Sequence, residues 1–453
     1  FLDERKKQEI VNVPIQCIIG DVRVINHRGY IPIRELVRQR FAAWTGVSWA
    51  PATAIQKGYA EVRPIRIRRG VELVCDGSHG VKVVGQDDYE WRRADELVGN
   101  ERLALDLARP LAFGQAMDVE DAYVLGLWIG DGSASRRQEH DVAFTIVVGN
   151  TARTGTVALR SGPAQIERLE QWAITRGLTS RRRAESGHTQ IVVNVGGRDW
   201  LQAWGADPDW KAHSKRIPET IWRADLPARR AFICGLLDAD GYQSPDGAVL
   251  LHLCQRTLLE ELWVLLRTVG VDSTLRGPYK ADKHGHLSYR LALIAWQAAL
   301  HLGWGRTIRR ARGSGDGKTP VFVAARVLAQ LRATCMADRV IKSRLRARMG
   351  VTSPYILQRM GATGLYDHAS VSSVGARRAH VPVYTLCVDD ALHQYVAGGF
   401  ISKNSSAAGI VNLATLRIDA QYPLDFGGPF TGLVNQCHDA LMLEVPESAA
   451  DEV

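Results

Sequence analysis

Membrane-spanning runs, paired cysteines and lysine are missing or scarce in this chain of 453 residues. No apolar run approaches the ~18 residues of a membrane span, so we expect no membrane partner. The seven cysteines are odd in number, widely spaced and free of any C-x-x-C pair. They therefore predict neither a disulfide framework nor a zinc site, and they favour a reducing cytoplasm.

Negative charge is also in the minority. Asp and Glu number 48 against 57 Lys and Arg, of which only 11 are Lys, and the formal net charge is +9. Such a surplus favours a polyanionic partner, with nucleic acid first among the candidates. Hydrophobic residues at 46% and charged residues at 23% are ordinary for a globular protein, and the length leaves room for two to four domains.

Two separated parts of the chain share a strand-like pattern. In residues 17–117, CIIGDVRVI, YIPIREL and GVELVCDGSHGVKV alternate apolar and polar positions, and VPVYTLCVDD in residues 380–404 does so again. Residues 118–345 instead contain helix-length apolar patterns such as TLLEELWVLLRTVGV. Residues 346–379 are Ser/Gly/Arg-rich and predict a connector. We therefore expect an all-β module that is split by an inserted α+β domain.

The inserted domain contains an internal repeat. VLGLWIGDG at 124–132 aligns with ICGLLDADG at 233–241, so Gly126 matches Gly235 and Asp131 matches Asp240. The spacing between the copies predicts a duplicated half-domain with one αββ-type unit per copy. Gly132 and Gly241 are expected to end the two helices just past the acids.

The ends of the segment 17–404 carry reactive groups. Cys17 opens it, Asn404 closes it, and Ser405 follows with a hydroxyl. A thiol with an ordinary pKa of ~8.5 is a usable nucleophile near neutrality. The segment therefore has the groups that it needs to excise itself.

The strand-like blocks resemble those of inteins, in the same order and at similar spacing. The resemblance covers CIIGDVRVI, GVELVCDGSHGVKV and VYTLCVDDALHQYVAGGFISKN, and it implies a horseshoe-shaped Hint splicing domain. It also implies the roles. Cys17 attacks the Gln16 carbonyl, His79 donates to the scissile nitrogen, Ser405 takes over the N-terminal flank, and Asn404 cyclises with help from His393.

Three positions depart from the intein pattern. Asp76 stands where the family has the Thr of Thr-x-x-His, Thr385 where it has Asp, and Lys403 where it has the His before the terminal Asn. An ionised carboxylate accepts a hydrogen bond but cannot donate one. An ammonium is a poor proton shuttle at pH 7. These departures predict an altered splicing rate rather than a loss of splicing.

GLWIGDG and GLLDADG resemble the paired motifs of LAGLIDADG homing endonucleases. The resemblance implies two helices side by side, with Asp131 and Asp240 together holding Mg²⁺ or Mn²⁺. KRIP at 215–218 resembles a further block of that family and makes Lys215 the candidate for stabilising phosphate charge or assisting water. Double-stranded DNA is the expected partner, bound mainly through its phosphates by Arg-lined sheets.

The flanks, 1–16 and 405–453, join as VNVPIQ-SSAAGIVNLA when the segment is deleted. This resembles a segment of family A DNA polymerases, and VNQCHDALMLEVPE resembles their His-Asp-Glu motif with Asp439 as a metal ligand. Ala440 replaces the Glu, and Gly409 stands where Asp is usual. The flanks are too short for an active polymerase.

The prediction is a bifunctional intein, monomeric and acting on its flanks in cis, in the cytoplasm of a bacterial or phage-infected cell. Splicing needs no cofactor. Two alternatives stay open. One is an intein whose endonuclease domain binds DNA but no longer cuts. The other is an autoprocessing domain that cleaves its termini without ligating them.

Overall fold

The computed structural model describes residues 16–85, 89–134, 142–146, 162–185, 188–243, 248–279, 285, 287–304, 366–404, 432–437 and 440–444. Ser405, Gly409 and Asp439 lie outside the described residues. No helix within the described ranges is long and apolar enough to cross a membrane.

The first part of the chain is built from strands, as the alternating pattern predicts. Short 3-10 turns occur at Ile33–Leu36 and Ala94–Glu96. The strands are β1 Ile18–Ile19, β2 Arg23–Asn26, β3 Gly29–Pro32, β4 Arg40–Trp44, β5 Trp49–Ile67, β6 Glu72–Asp76, β7 Gly80–Val84, β8 Tyr89–Arg93 and β9 Arg102–Asp106.

The inserted domain then alternates helices with strand pairs. Its first copy contains α1 Val119–Asp131, β10 Gly132–Ala134, β11 Val142–Ile146, α2 Gly162–Thr175, β12 Thr179–Glu185 and β13 His188–Val195. The short helices α3 Gly197–Ala203 and α4 Glu219–Trp222 follow. The second copy contains α5 Leu226–Asp240, β14 Gly241–Gln243, β15 Val249–Leu253, α6 Arg256–Thr268, β16 Ser273–Tyr279 and β17 Ser288–Leu293, and then α7 Ala295–Gln297 and a π-helical turn at Ala298–Leu302.

Each copy forms a four-stranded antiparallel sheet of the same order. The orders are β10-β11-β13-β12 and β14-β15-β17-β16. The repeated unit is therefore αββαββ, which is longer than the predicted αββ, because a second helix and strand pair complete each sheet. Capping explains where the paired helices begin, since Asp118 accepts from the amides of Glu120 and Asp121, and Asp225 accepts from that of Ala228.

The helices α1 and α5 cross at glycines. A Cβ on Gly126 would lie 2.0 Å from the Phe232 carbonyl oxygen, and one on Gly235 would lie 2.0 Å from that of Tyr123. These matched contacts relate the two copies by a local twofold axis. Gly132 and Gly241 are not in the left-handed conformation, since their φ values are −78° and −81°. Lack of space explains why glycine occupies these positions. A Cβ on Gly132 would lie 2.2 Å from Trp128, and one on Gly241 would lie 2.5 Å from Leu237.

The last part of the chain returns to the first sheet. It contains β18 Tyr366–Val374, β19 Arg378–Val388, β20 Gln394–Ala397 and β21 Phe400–Lys403, followed by a separate hairpin of β22 Gly432–Cys437 and β23 Ala440–Glu444. Thirteen strands form one antiparallel sheet along the path β18-β9-β7-β21-β20-β2-β4-β5-β19-β1-β6, with β3 and β8 beside it. Residues 366–374 and 378–379, predicted as connector, belong to β18 and β19.

A buried ion network joins the sheet to the inserted domain. Arg69 contacts Asp272 and, at 2.8 Å, Asp367, while Arg267 contacts the same two carboxylates at 2.8 and 3.3 Å. Removing one member of such a network leaves an uncompensated buried charge at a cost of roughly 3–5 kcal/mol. The network therefore fixes how the two parts are held together.

Candidate functional site

Cys17 lies fully buried beside Asp76. The amide nitrogen of Cys17 donates to Asp76 Oδ2 at 2.5 Å, and the Asp76 amide donates back to the Cys17 carbonyl at 3.1 Å. Burial and the adjacent carboxylate raise the pKa of the Cys17 thiol well above its ordinary value. The thiol is therefore protonated at neutral pH and needs a base before it can attack.

Asp76 is held in place by the turn that follows it. Its Oδ1 accepts from both the amide and the hydroxyl of Ser78 at 2.6 Å, which leaves Oδ2 directed at Cys17. Burial raises the pKa of Asp76, although the hydrogen bonds from Ser78 and Cys17 act in the opposite direction. A carboxyl group of raised pKa is a stronger base than an ordinary one.

The sequence predicts a contact between His79 and the Cys17 nitrogen, but the structure does not show one. Its Nε2 lies 3.1 Å from the Ser402 hydroxyl, and its Nδ1 has no partner among the described residues. Burial lowers the pKa of His79 to about 3, so the ring is neutral at pH 7. The contact with the scissile nitrogen belongs to Asp76, because β6 lies directly beside β1.

Asn404 follows β21 and is buried. Its Nδ2 donates to the Val388 carbonyl at 2.7 Å, and its backbone amide donates to the His393 carbonyl at 2.9 Å. His393 is exposed, with a φ of +48°, and Lys403 is half-buried. The Asn404 side-chain nitrogen is thus oriented by a backbone carbonyl, and His393 is held beside Asn404 through its main chain.

Gln16 connects the two ends of the segment. The Gln16 side-chain amide is oriented so that its oxygen and its nitrogen both meet suitable hydrogen-bond partners. In that orientation Nε2 donates to the carbonyl oxygens of Lys403 and Asn404 at 3.2 and 3.3 Å. A Cβ on Gly80 would meet both Lys403 and Gln16, at 2.9 and 3.3 Å. Gln16 and Asn404, far apart in sequence, therefore lie side by side.

A cleft of about 650 Å³ opens beside Cys17. Its lining includes Lys57, Glu61, Arg93, Asp95 and His380 in addition to Cys17 and Asp76. The positive charge of Lys57 lowers the pKa of the Cys17 thiol, but burial outweighs this. The cleft gives space for a chain segment next to the thiol.

Asp131 and Asp240 are the last residues of α1 and α5, and a Cβ on Gly130 would lie 3.1 Å from an Asp240 carboxylate oxygen. Burial and the charge of Asp131 raise the pKa of Asp240 to about 7, and burial raises the pKa of Asp131. Two carboxylates that disfavour each other's ionisation suit a divalent cation between them. Mg²⁺ usually takes only one or two protein carboxylates together with water and phosphate, so this pair fits it, although the described residues hold no group of three His, Cys, Asp or Glu.

The Lys215 side chain packs against the C-terminal end of α1, and its ammonium group is buried. Its Nζ donates to the carbonyls of Trp128, Gly130 and Gly132 at 2.7, 3.0 and 2.8 Å. Burial lowers the pKa of Lys215 to about 8, although the negative charges of Asp240 and Asp131 act to raise it. All three donors are used by the backbone, so in this state Lys215 positions the end of α1 rather than offering a free donor to phosphate.

The acid pair should make stability depend on pH. Because the folded-state pKa of Asp240 lies above its ordinary 3.8, the penalty for ionising it grows between pH 4 and 7 and is complete above that range. Asp240→Asn should therefore raise the free energy of unfolding at pH 8 by on the order of 3 kcal/mol, and at pH 5 by less than half of that. Urea titrations with EDTA measure this, with the exposed Glu167→Gln as the control. An equal effect at both pH values would contradict it.

Sequence reasoning missed four groups at these sites: Ser78, Ser402, the Val388 carbonyl and the Gln16 side chain. The Asp-Gly-Ser order at 76–78 is a turn signal that could have indicated the Ser78 contacts. The other three depend on strand pairing between distant parts of the chain, which has no local signal.

Comparison with known proteins assigns the inserted domain. Residues 227–295 match the family described as LAGLIDADG-like domain, and this span contains most of α5 and all of β14–β17. The second copy of the repeat is therefore a LAGLIDADG-type α/β unit, as the sequence predicted.

Curated relatives have varied names. An iron-sulfur cluster assembly SufBD family protein of Mycobacterium leprae is 25% identical over 52% of this chain and 23% of its own length. The replicative DNA helicase DnaB of Rhodothermus marinus is 24% identical over 81% of this chain and 35% of its own. A DNA gyrase subunit of Mycolicibacterium flavescens is 23% identical over 77% of this chain and 67% of its own. This chain spans only a minor part of the first two relatives.

Parts of this chain are also similar to solved structures. The homing endonuclease I-DmoI in complex with DNA and Mn is 16% identical, covering 41% of this chain and 97% of that one, with a TM-score of 0.29. A DnaB intein from Synechocystis sp. PCC 6803 is 21% identical, covering 20% of this chain and 67% of that one, with a TM-score of 0.18.

Proposed function

We propose that residues 17–404 are a self-splicing intein that excises itself, joins Gln16 to Ser405 and carries a site-specific DNA endonuclease. The observation that carries the proposal is the meeting of the two junctions, since the Gln16 side chain reaches the Lys403 and Asn404 carbonyls. Ligation requires that meeting, because a group must pass from one junction to the other. Holding both in one sheet supplies the proximity at no further entropic cost.

The splicing steps follow from the groups at the two junctions. The Cys17 sulfur attacks the Gln16 carbonyl and converts the amide to a thioester, whose acyl group then passes to the Ser405 hydroxyl. The Asn404 side-chain nitrogen, oriented by the Val388 carbonyl, attacks its own backbone carbonyl and releases the segment. The remaining ester rearranges to a peptide bond. No cofactor enters these steps.

The curated relatives support an inserted element. Their names describe an iron-sulfur assembly protein, a helicase and a component of DNA gyrase, yet they match 52–81% of this chain. A segment shared by proteins of such different functions is what a mobile insert predicts. The host of this copy is proposed to be a family A DNA polymerase, on the sequence of residues 1–16 and 405–453 alone.

The proposed nuclease acts on double-stranded DNA through the LAGLIDADG domain. Asp131 and Asp240 would hold Mg²⁺ or Mn²⁺, which supplies Lewis acidity for phosphodiester hydrolysis when bound. Lys215 fixes the end of α1 and thereby the position of Asp131. Phosphate contacts come from the exposed arginines Arg181 to Arg183 on β12 and from arginines on β16 and β17. Both acids come from one chain, so a monomer suffices.

Expression between two foreign tag proteins tests the proposal. Residues 12–410 should give a ligated tag product and a free 17–404 segment, identified by intact mass. Free tags without ligated product would instead support the terminal-cleaving alternative. An uncleaved precursor that is folded by circular dichroism would overturn splicing altogether.

A further inference from the structure

Cys17 and Asp76 are paired across neighbouring strands. Oδ2 of Asp76 accepts from the Cys17 backbone nitrogen at 2.5 Å, and the charge of the same carboxylate raises the pKa of the Cys17 thiol. Its other oxygen is saturated by the two donors of Ser78. One carboxylate thus binds the Cys17 nitrogen and lines the same cleft as the Cys17 side chain, and a proton must move between this nitrogen and the thiol when the amide becomes a thioester.

No other described group competes well for this task. His79 is engaged with Ser402, and its neutral ring is a poor acid for the departing nitrogen. None of the other titratable groups that line the cleft hydrogen-bonds Cys17; they are Lys57, Tyr59, Glu61, Arg93, Asp95, Arg377 and His380. A base is nevertheless required, because the buried thiol is protonated at neutral pH.

We propose that Asp76 carries the proton in the first step of the splicing reaction proposed above. Its carboxylate takes the thiol proton while the Cys17 sulfur forms a bond to the Gln16 carbonyl carbon. The carbon–nitrogen bond then breaks, and Asp76 delivers the proton to the Cys17 nitrogen, which leaves as an amine. Asp76 ends as a carboxylate, so atoms and charge balance without a co-reactant. The negative charge only moves between Asp76 and the neighbouring Cys17, which avoids bringing a new ion into the buried site.

Thr385 occupies the matching position on the other side of Cys17. The register of β1 with β19 pairs Ile18 with Tyr384, so the next pair is Cys17 with Thr385, just as the register with β6 pairs Cys17 with Asp76. Directly opposite residues share one face of a sheet. The Thr385 hydroxyl is buried and has no hydrogen-bond partner in the described part of the chain. A carboxylate placed there would reach Cys17 from the opposite strand.

The first test isolates the thioester step in the full chain between foreign tags, with Asn404→Ala to block C-terminal cleavage. Release of the N-terminal tag by dithiothreitol reports the thioester. Asp76→Asn should slow release by at least ~10²-fold, because the amide keeps the shape but cannot carry the proton. Asp95→Asn, in the same cleft, should change it less than threefold. Release from Asp76→Asn within threefold of the parent would overturn the proposal.

The second test moves the carboxylate. Asp76→Thr should release the N-terminal tag as slowly as Asp76→Asn. Adding Thr385→Asp should speed release at least ~10-fold, because it returns a carboxylate to the neighbourhood of Cys17 from the opposite strand. A double variant that melts like the parent yet stays as slow as Asp76→Thr would overturn the role of a carboxylate beside Cys17. If the parent itself gives neither thioester nor ligated product, the splicing proposal fails instead, so the two failures are distinguishable.

Discussion

Cys17→Ala abolishes ligation of the flanks, and Asn404→Ala blocks release of the C-terminal flank: these are the largest effects that we expect. Cys17→Ala removes the sulfur that forms the thioester in the proposed reaction, directly after the Gln16 carbonyl. Ligated product should fall by at least ~10³-fold, as is typical when a nucleophile is deleted. The Val388 carbonyl still orients Asn404, so C-terminal cleavage should persist.

Asn404→Ala should have the complementary effect. The N-terminal junction is untouched, so thioester and branched ester accumulate, and thiol reagents release the N-terminal flank. Time courses on denaturing gels with intact mass measure each species. Cys254→Ala is the matched control, because that cysteine is exposed and lies in the inserted domain. Wild-type amounts of ligated product from either Cys17→Ala or Asn404→Ala would remove that residue from its role.

The inserted domain was the part most readable from sequence. The repeat of Gly126 and Asp131 at Gly235 and Asp240 predicts two helices, and the structure has them with both acids as last residues. Helix period, capping and close-approach glycines are local or nearly local signals, so one chain displays them without a structure. The family match over residues 227–295 agrees with that prediction.

The arrangement around Cys17 could be predicted only in part. The reactive ends, Cys17 and Asn404, stand out because they delimit the segment. The contact of Asp76 with the scissile nitrogen, and of His79 with Ser402, depends on how β6, β7 and β21 pair across the sheet. Strand register between residues hundreds of positions apart is set by packing of the whole sheet. The resemblance alone therefore assigned the nitrogen contact to the wrong side chain.

The strand boundaries illustrate the same limit. Residues 366–374 look like a connector because Ser and His interrupt the alternation, yet they pair with β5 and β9. The buried Ala369 and Val371, two positions apart, supply an apolar face. Tertiary pairing outweighs a weak local pattern in strands more than in helices.

The last prediction separates the two chemistries. Asp131→Asn or Asp240→Asn should reduce DNA cleavage by at least ~10²-fold, because each removes half of the carboxylate pair that would hold the cation. Splicing should be unchanged, since Cys17 and Asn404 are held by the thirteen-stranded sheet and the acids lie at the ends of α1 and α5. The substrate is a plasmid carrying the uninterrupted junction, with the codons for Gln16 and Ser405 adjacent, in Mg²⁺ or Mn²⁺.

Glu167→Gln is the control for cleavage, and a gel-shift assay in Ca²⁺ checks that each variant still binds the junction DNA. If the parent binds the junction but does not cut it, the domain is the DNA-binding relic of the first alternative, in which case the buried engagement of Lys215 with three carbonyls is the structural feature to examine. If the parent cuts and both Asn variants cut equally well, the cation site does not lie between Asp131 and Asp240.

Because the two acids repel each other in the metal-free protein, the same variants should be more stable than the parent at pH 8 while being inactive. A merely disruptive substitution would not produce this combination.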